Sequence, residues 1–334
     1  FVRSRRLFWK KKRWNIFSWL TSAGTYKPDE LETDVEVLRR VYLDKGYLDV
    51  KVSEPVVILR DEKRVDVTID IEEGPIYRLG QITLEGVTIF DHADVAKSIT
   101  NKPGDVASLA AIEKNSQAVQ DYYGSRGYIR SVAKYQLDPQ PGQPVVQVKY
   151  EVQEGKLAYI RDIHVRGNMR TKDKVIRREL TVYPGEKFNQ VKVRNSERRL
   201  RNLGYFSFVN SVPEETPDPE KYDIAFEVEE QKTGQFLIGS GYSSVDDLIA
   251  FAELSQGNFD LFNWPPTGGG QKLKLRGTVG TKRRDLELSF VEPWFLDRKL
   301  SLGVDLFQRD RRYQSSEYDQ RNTGMNISLG KPLG

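Results

Sequence analysis

The residues best suited to chemistry are sparse and poorly placed. His92 and His164 are the only two histidines in 334 residues, and there is no cysteine. An imidazole acts as a base or metal ligand only beside partners, and these two sit in different stretches near strand ends, without the companions of a triad or a zinc site. Gly268-Gly269-Gly270 could cradle a phosphate, yet Gln271-Lys272-Leu273 follows where a phosphate loop needs Lys-Ser or Lys-Thr. The run therefore reads as a hairpin turn. Carboxylates are numerous but alternate along strands, as solvated faces do. The absence of cysteine excludes a disulfide framework and thiolate metal sites. No catalytic residue, cofactor or metal is expected, and the chain reads as something other than an enzyme.

The elements carrying these residues recur. Gly46-Tyr47 returns as Gly127-Tyr128 and again as Gly204-Tyr205; Glu73-Gly74 returns as Glu154-Gly155, with Glu230 a degenerate third, and Pro103-Gly104 returns as Pro184-Gly185. A nearly constant step of about 80 residues marks one folded unit per copy. Each copy opens with a short apolar strand ending in glycine, Ile82 to Gly86 and Ile163 to Gly167. Two helices follow. The second carries one apolar residue per turn: Leu31, Val35, Leu38 and Tyr42, then Ile112, Val119 and Tyr123, then a blurred Val193, Leu200 and Leu203. The Gly-Tyr glycine closes that helix. Two strands end the copy, the last alternating strictly: Val65, Val67, Ile69, Ile71; Val146, Val148, Tyr150, Val152; Tyr222, Ile224, Phe226, Val228. The order strand-helix-helix-strand-strand predicts an α+β unit with a helix pair on one face of a three-stranded sheet. The expected domains are 1–74, 75–155 and 156–232. The first lacks its opening strand, which by the repeat step should end near position 5.

From residue 233 to 334 helical periodicity gives way to alternation. In Gln271 to Thr281, Leu273, Leu275 and Val279 oppose Lys272, Lys274 and Arg276. Gln235 to Ser243, Leu248 to Asn258, Asp285 to Glu292, Leu300 to Phe307 and a run around Met325, Ile327 and Leu329 behave alike. About six strands result, each near the length that crosses a bilayer when tilted. A soluble sandwich and a transmembrane barrel both fit this periodicity. Aromatic residues at strand ends, Phe259, Phe262, Trp264, Trp294 and Phe295, favour the barrel. Six strands do not close one, so more are expected beyond Gly334. No apolar run is long enough to cross a bilayer as a helix, so no transmembrane helix is expected.

The net charge of +4 conceals a basic start. Arg3, Arg5, Arg6, Lys10, Lys11, Lys12 and Arg13 contribute +7 with no acid between Phe1 and Leu20, leaving −3 for the rest. Interleaved with Phe8, Trp9, Trp14, Phe17 and Trp19, this segment could meet nucleic acid or a membrane surface. The repeat frame favours a plainer reading, the first helix of copy one, and no nucleic-acid partner is expected.

Several stretches together carry a family resemblance: Trp14-Asn15-Ile16-Phe17-Ser18-Trp19-Leu20, the helix closure Tyr122 to Tyr128, Ile163 to Thr171 with Arg177-Arg178-Glu179-Leu180, Thr233-Gly234-Gln235-Phe236 leading into Gly239-Ser240-Gly241-Tyr242, and Glu292-Pro293-Trp294-Phe295. The repeats resemble POTRA domains, and the whole chain resembles the BamA-type outer-membrane protein assembly factors. The resemblance implies tandem α+β POTRA repeats in the periplasm, then the first strands of an antiparallel 16-stranded barrel in the bacterial outer membrane. It implies unfolded outer-membrane proteins as clients, outer-membrane lipid as surroundings, and accessory lipoproteins or periplasmic chaperones as partners.

Within each repeat the resemblance implies an exposed edge at the strand after the Gly-Tyr turn, carrying Val50 and Val52, Val132, and Val209, where an extended client could add a strand. Pro55 and Pro213 would limit such pairing. The first barrel strand, Phe236, Leu237, Ile238, Gly239, Ser240, Gly241 and Tyr242, is implied as gate and template. Gly239 and Gly241 either weaken its pairing or relieve crowding in a curved sheet. Arg177, Arg178 and Glu179 are candidate partner-binding positions in the last repeat. Two other functions stay open: a two-partner-secretion or autotransporter-assembly pore of the same superfamily, and a soluble periplasmic peptide-binding scaffold.

Overall fold

The period-two stripes become the central strands of three small sheets, and the longer alternating runs become a fourth. A computed structural model describes residues 4–10, 28–61, 64–243, 247–312 and 319–331. These fall into two compact units, residues 1–157 and 158–334.

The first unit holds two repeats. In the first, β1 (Ser4–Lys10), α1 (Pro28–Asp44), β2 (Lys51–Val52), β3 (Val56–Asp61) and β4 (Arg64–Glu72) follow in order. β4 is central, with β1 antiparallel along one side and β2 and β3 along the other. The helix expected over the basic start is corrected for Ser4–Lys10, which is strand and pairs with Asp66 to Glu72. Aromatic residues suit a strand, and the open side of β4 offers backbone partners that outweigh a helical preference. β1 runs antiparallel to β4, whereas the opening strands of the later repeats run parallel to theirs. Arg3, Lys11, Lys12, Arg13 and the stretch Trp14 to Leu20 lie outside the described residues.

The second repeat contains β5 (Arg78–Glu85), α2 (His92–Ala96), α3 (Leu109–Gly124), β6 (Tyr128–Ile129), β7 (Val132–Pro139), β8 (Val145–Gln153) and β9 (Lys156–Leu157). Its sheet runs β5-β8-β7, and β6 pairs with β9. The predicted stripes meet there: Ile112, Val119 and Tyr123 of α3 pack on Val146, Val148 and Tyr150 of β8, all six at most 1% exposed. Ser108 caps α3 by accepting from the Ala111 N–H, and Asp44 at the end of α1 accepts from the Ala110 N–H at 2.8 Å. A carboxylate of one repeat thereby satisfies a helix N-terminus of the next.

The Glu-Gly landmarks are latches. Glu154, at the end of β8, accepts from the Thr88 N–H at 2.8 Å, the Ile89 N–H at 2.9 Å and the Tyr123 hydroxyl at 2.7 Å, pinning the loop after β5. Glu73 accepts from Tyr42 at 3.4 Å, the same pairing one repeat earlier.

The second unit begins with β10 (Tyr159–Arg166), α4 (Asp173–Arg177), α5 (Gln190–Asn202), β11 (Phe206–Glu215) and β12 (Lys221–Glu230), in sheet order β10-β12-β11. Glu230 accepts from the Arg170 and Thr171 N–H groups, so the degenerate third landmark does the same work as Glu154. The chain then enters a six-stranded antiparallel meander: β13 (Gly234–Ser243), β14 (Asp247–Phe259), β15 (Gln271–Gly280), β16 (Arg283–Glu292), β17 (Ser301–Arg312) and β18 (Asp319–Gly330). No helix among the described residues is long and apolar enough to cross a membrane, which says nothing of strands.

Candidate functional site

The meander has two unlike faces because register keeps like residues in line. Phe236, Leu254, Leu275, Leu288, Leu306 and Met325 are consecutive register partners across all six strands. One step along, on the other face, the row is Gln235, Ser255, Lys274, Ser289, Asp305 and Asn326. The polar face is knitted together: Glu253 lies 3.0 Å from Lys274 and 3.6 Å from Arg276, Arg309 meets Glu287 at 2.9 Å, and Ser289 donates to Asp305 at 2.6 Å. The apolar face is bare. Phe236 is 66% exposed, Leu254 56% and Met325 59%, and no second sheet covers them among the described residues. A sandwich would bury this face, whereas a wall with lipid outside and water inside leaves it open.

β13 is the edge of this sheet, paired with β14 from Gly234↔Gln256 to Ser243↔Asp247 and with no strand on its other side among the described residues. Phe236, Leu237, Ile238 and Tyr242 are all exposed. The two glycines differ. A Cβ on Gly239 would fall 2.5 Å from the Phe251 ring, so the glycine makes room for that ring, over which the Arg276 guanidinium stacks at 4.6 Å. Gly241 meets only Ile249, at ordinary distance. Gly324, facing Phe307 under Arg309 at 4.7 Å, repeats the Gly239 arrangement on β18. An aromatic ring laid across a strand glycine replaces the packing that the glycine lacks.

The repeat edges follow topology. β2 with β3, β7 and β11 each flank a central strand and end their sheets. Val50 is buried just before β2, Val209 is buried within β11, and Val52 and Val132 are half-buried. Val52 and Val209 pair with the core residues Ile71 and Val228, whereas Val132 pairs with exposed Gln153 and leaves the core to its neighbour Ala133. Pro55 separates β2 from β3, and Pro213 sits inside β11 opposite Ile224.

The glycine run that resembled a phosphate loop is the anchor between the last repeat and the sheet. The turn expected there is a loop from Asp260 to Gly270 that inserts against α4 and the residues before it. The Lys172 N–H donates to the Gly268 carbonyl at 2.9 Å; a Cβ on Gly268, at φ +105°, would strike the Arg170 carbonyl. Asn258, 5% exposed, donates to the Thr171 hydroxyl at 2.9 Å and accepts from the Gly270 N–H at 2.9 Å. The Tyr205 hydroxyl donates to the Gly270 carbonyl at 3.3 Å, and burial raises its pKa to about 12. Lys172 meets Asp260 at 2.5 Å.

The Arg177-Arg178-Glu179 stretch divides. Arg177 pairs with Asp173 on its own helix at 2.5 Å. Arg178 lies 5.5 Å from the Trp294 ring, and Glu179 accepts from the Trp294 indole N–H at 3.2 Å. Two of the three candidate partner-binding residues thus already engage the Glu292-Pro293-Trp294-Phe295 motif. Trp294 and Phe295 are accordingly half-buried, while Phe262 and Trp264 are each 88% exposed. The histidines serve locally: His92 bonds the Leu84 carbonyl at 2.9 Å, and His164 lies 3.4 Å from Asp223, which also pairs with Arg161. Sequence reasoning missed Asn258 and Thr171, whose pairing joins positions far apart in the chain and leaves no local pattern.

Two strand-helix-helix-strand-strand units, preceded by a first repeat with one described helix, lead into the meander, and residues 11–74, 77–155 and 158–231 each match the POTRA family, described as the surface antigen variable number repeat. The chain belongs to the POTRA family. Beyond its POTRA repeats, residues 266–334 match the Omp85 superfamily domain. The chain is similar to the outer membrane protein assembly factor BamA of Nitratidesulfovibrio vulgaris, at 29% identity over 96% of its length. It is also similar to the BamA of Neisseria meningitidis serogroup B, at 28% identity over 95% of its length. It spans 40% of each of these relatives. In fold it resembles the crystal structure of Haemophilus ducreyi BamA lacking POTRA domains 1–3, with a TM-score of 0.62 and 24% identity, covering 76% of this chain and 47% of that one. POTRA domains 3–5 of Haemophilus influenzae BamA align at a TM-score of 0.54 with 24% identity, covering 62% of this chain and 82% of that one.

Proposed function

We propose that this chain is the part of an outer-membrane protein assembly factor in which periplasmic POTRA repeats receive unfolded β-barrel clients and the sheet from β13 onward forms part of a membrane wall. One observation carries the reading: POTRA repeats lead directly into an antiparallel sheet with one bare apolar face and one charged face. The apolar face calls for lipid and the polar face for an aqueous lumen. The activity is physical rather than chemical, the pairing of a client strand with an edge of this wall.

β13 is the pairing strand. Its outer backbone edge is open among the described residues, and its Gly239 is covered by a ring from β14. Strand addition needs only backbone hydrogen bonds, which suits clients of unrelated sequence. The edges at β7 and β11 offer the same backbone chemistry to clients before they reach the membrane, with β2 and β3 broken at Pro55. Accessory lipoproteins or periplasmic chaperones complete the partner set.

Photocrosslinkers placed in the full-length protein at Phe236, Ile238 and Tyr242 test the reading in cells making an excess of one client. Adducts with client strands are expected. Adducts confined to fixed neighbours within the protein would remove β13 from this role.

A further inference from the structure

In the second unit a cleft of about 460 Å³ lies between α4 and the near end of the sheet. One wall carries Lys172, Lys174 and Arg178; the other includes Phe290 and Leu302. Phe290 pairs with Val304, and Leu302 with Leu329, on the bare apolar face, so the cleft runs out onto that face. At its margin Phe262 is 88% exposed and Leu296 73%.

The charges do not close on themselves. Lys172 is matched by Asp260 at 2.5 Å and Lys174 by Asp297 at 3.4 Å. Arg178 makes no ion pair among the described residues, and its buried Nε finds no hydrogen-bond partner there. The carboxylates near it are engaged by neutral donors: Glu179 takes the Trp294 indole, while Glu292 takes the Trp294 backbone N–H at 3.0 Å and the Gln271 amide at 2.9 Å. Burial pulls the Arg178 pKa down and outweighs the opposing pull of the nearby Glu292 and Glu179 carboxylates. A half-buried guanidinium in a cleft that opens onto an apolar wall fits a ligand with an anionic oxygen head and a hydrocarbon tail.

We propose that this cleft holds one anionic phospholipid, its phosphate on Arg178 with Lys174 at the rim and an acyl chain along Phe290 and Leu302. The proposal rests on the membrane reading of the sheet. A lipid held there joins the last repeat to the bilayer surface beside the anchor loop, with exposed Phe262 and Leu296 lining the same cleft.

The test uses the full-length protein, delipidated in detergent, with native mass spectrometry as the readout for phosphatidylglycerol and for phosphatidylcholine of the same chains. Retention of one phosphatidylglycerol, about tenfold tighter than phosphatidylcholine, is expected. Arg178→Gln should erase that preference, Lys174→Glu should weaken it several-fold, and Arg201→Gln, whose native side chain pairs with Glu197 on α5, should keep it. An undiminished preference in either cleft variant overturns the proposal. If Arg178→Gln fails to give a folded, heat-modifiable protein, Lys174→Glu decides. Displacement of the lipid by an equal concentration of glycerol 3-phosphate would show a site for the phosphate alone and overturn the acyl-chain assignment. A full-length chain that is water-soluble without detergent would instead sink the membrane reading.

Discussion

Glu154 shows how one side chain fixes a repeat. Burial alone would raise its pKa, but donors from Ile89, Thr88 and Tyr123 outweigh that and hold it at about 2. A carboxyl depressed on folding stabilises the fold above its unfolded pKa, near 4.5, and loses that contribution as pH falls from there towards 2. Glu154→Gln should therefore cost about 1–2 kcal/mol at neutral pH, allowing for solvent screening. Amide exchange at Thr88 and Ile89 should lose about tenfold of its protection, and the wild type should show the same loss between pH 4.5 and pH 2. Unchanged protection in the variant would make the latch decorative. At the anchor loop, Gly268→Ala places a Cβ against the Arg170 carbonyl at a positive φ, which should cost at least about 2 kcal/mol. Protease cutting between Leu261 and Gly270 should rise accordingly. In the sequence Glu154 was visible only as a phase marker and the glycine run only as a hairpin turn. Both find their partners far along the chain, Glu154 at Thr88 and Gly268 at Lys172, where no local pattern reaches.

Elements were far more legible than their partners. Period-two alternation located β4, β8, β12 and all six strands of the meander, although β17 runs on to Arg312, past the expected Phe307, and β12 is buried on both faces at Asp223 and Ala225. The helical stripes likewise found α1 and α3, and the weak one on α5 ended at Asn202, with Leu203 as its cap. The basic start went the other way, as tertiary pairing with β4 outweighed the helix that the repeat frame suggested. For β13 the sequence left Gly239 between two meanings. The Phe251 ring gives it a specific one, a strand whose packing is supplied from its neighbour. Phe251→Ala should strip that cover and loosen β13 from β14. Crosslinks from Ile238 to client should then rise about two- to fivefold at equal protein level, as expected for the loss of a cross-strand pair worth roughly 0.5–1 kcal/mol. A fall in client crosslinking would mean that the ring serves capture rather than restraint.

For the molecule as a whole, the central claim is that the bare face of the meander meets lipid. Alternation alone left sandwich and barrel open, since both place apolar and polar residues on opposite faces; the decisive fact is spatial, a row from Phe236 to Met325 that nothing described covers. POTRA repeats before this sheet in the chain and an Omp85 match within it make a membrane wall the consistent outcome. The most direct measurement is the gel migration of the full-length protein extracted from membranes, with and without boiling. The account predicts that extraction requires detergent and that a compact, faster band when unheated becomes a slower one after boiling, as a closed barrel unfolds. A protein that stays in solution without detergent and migrates identically under both conditions would contradict it.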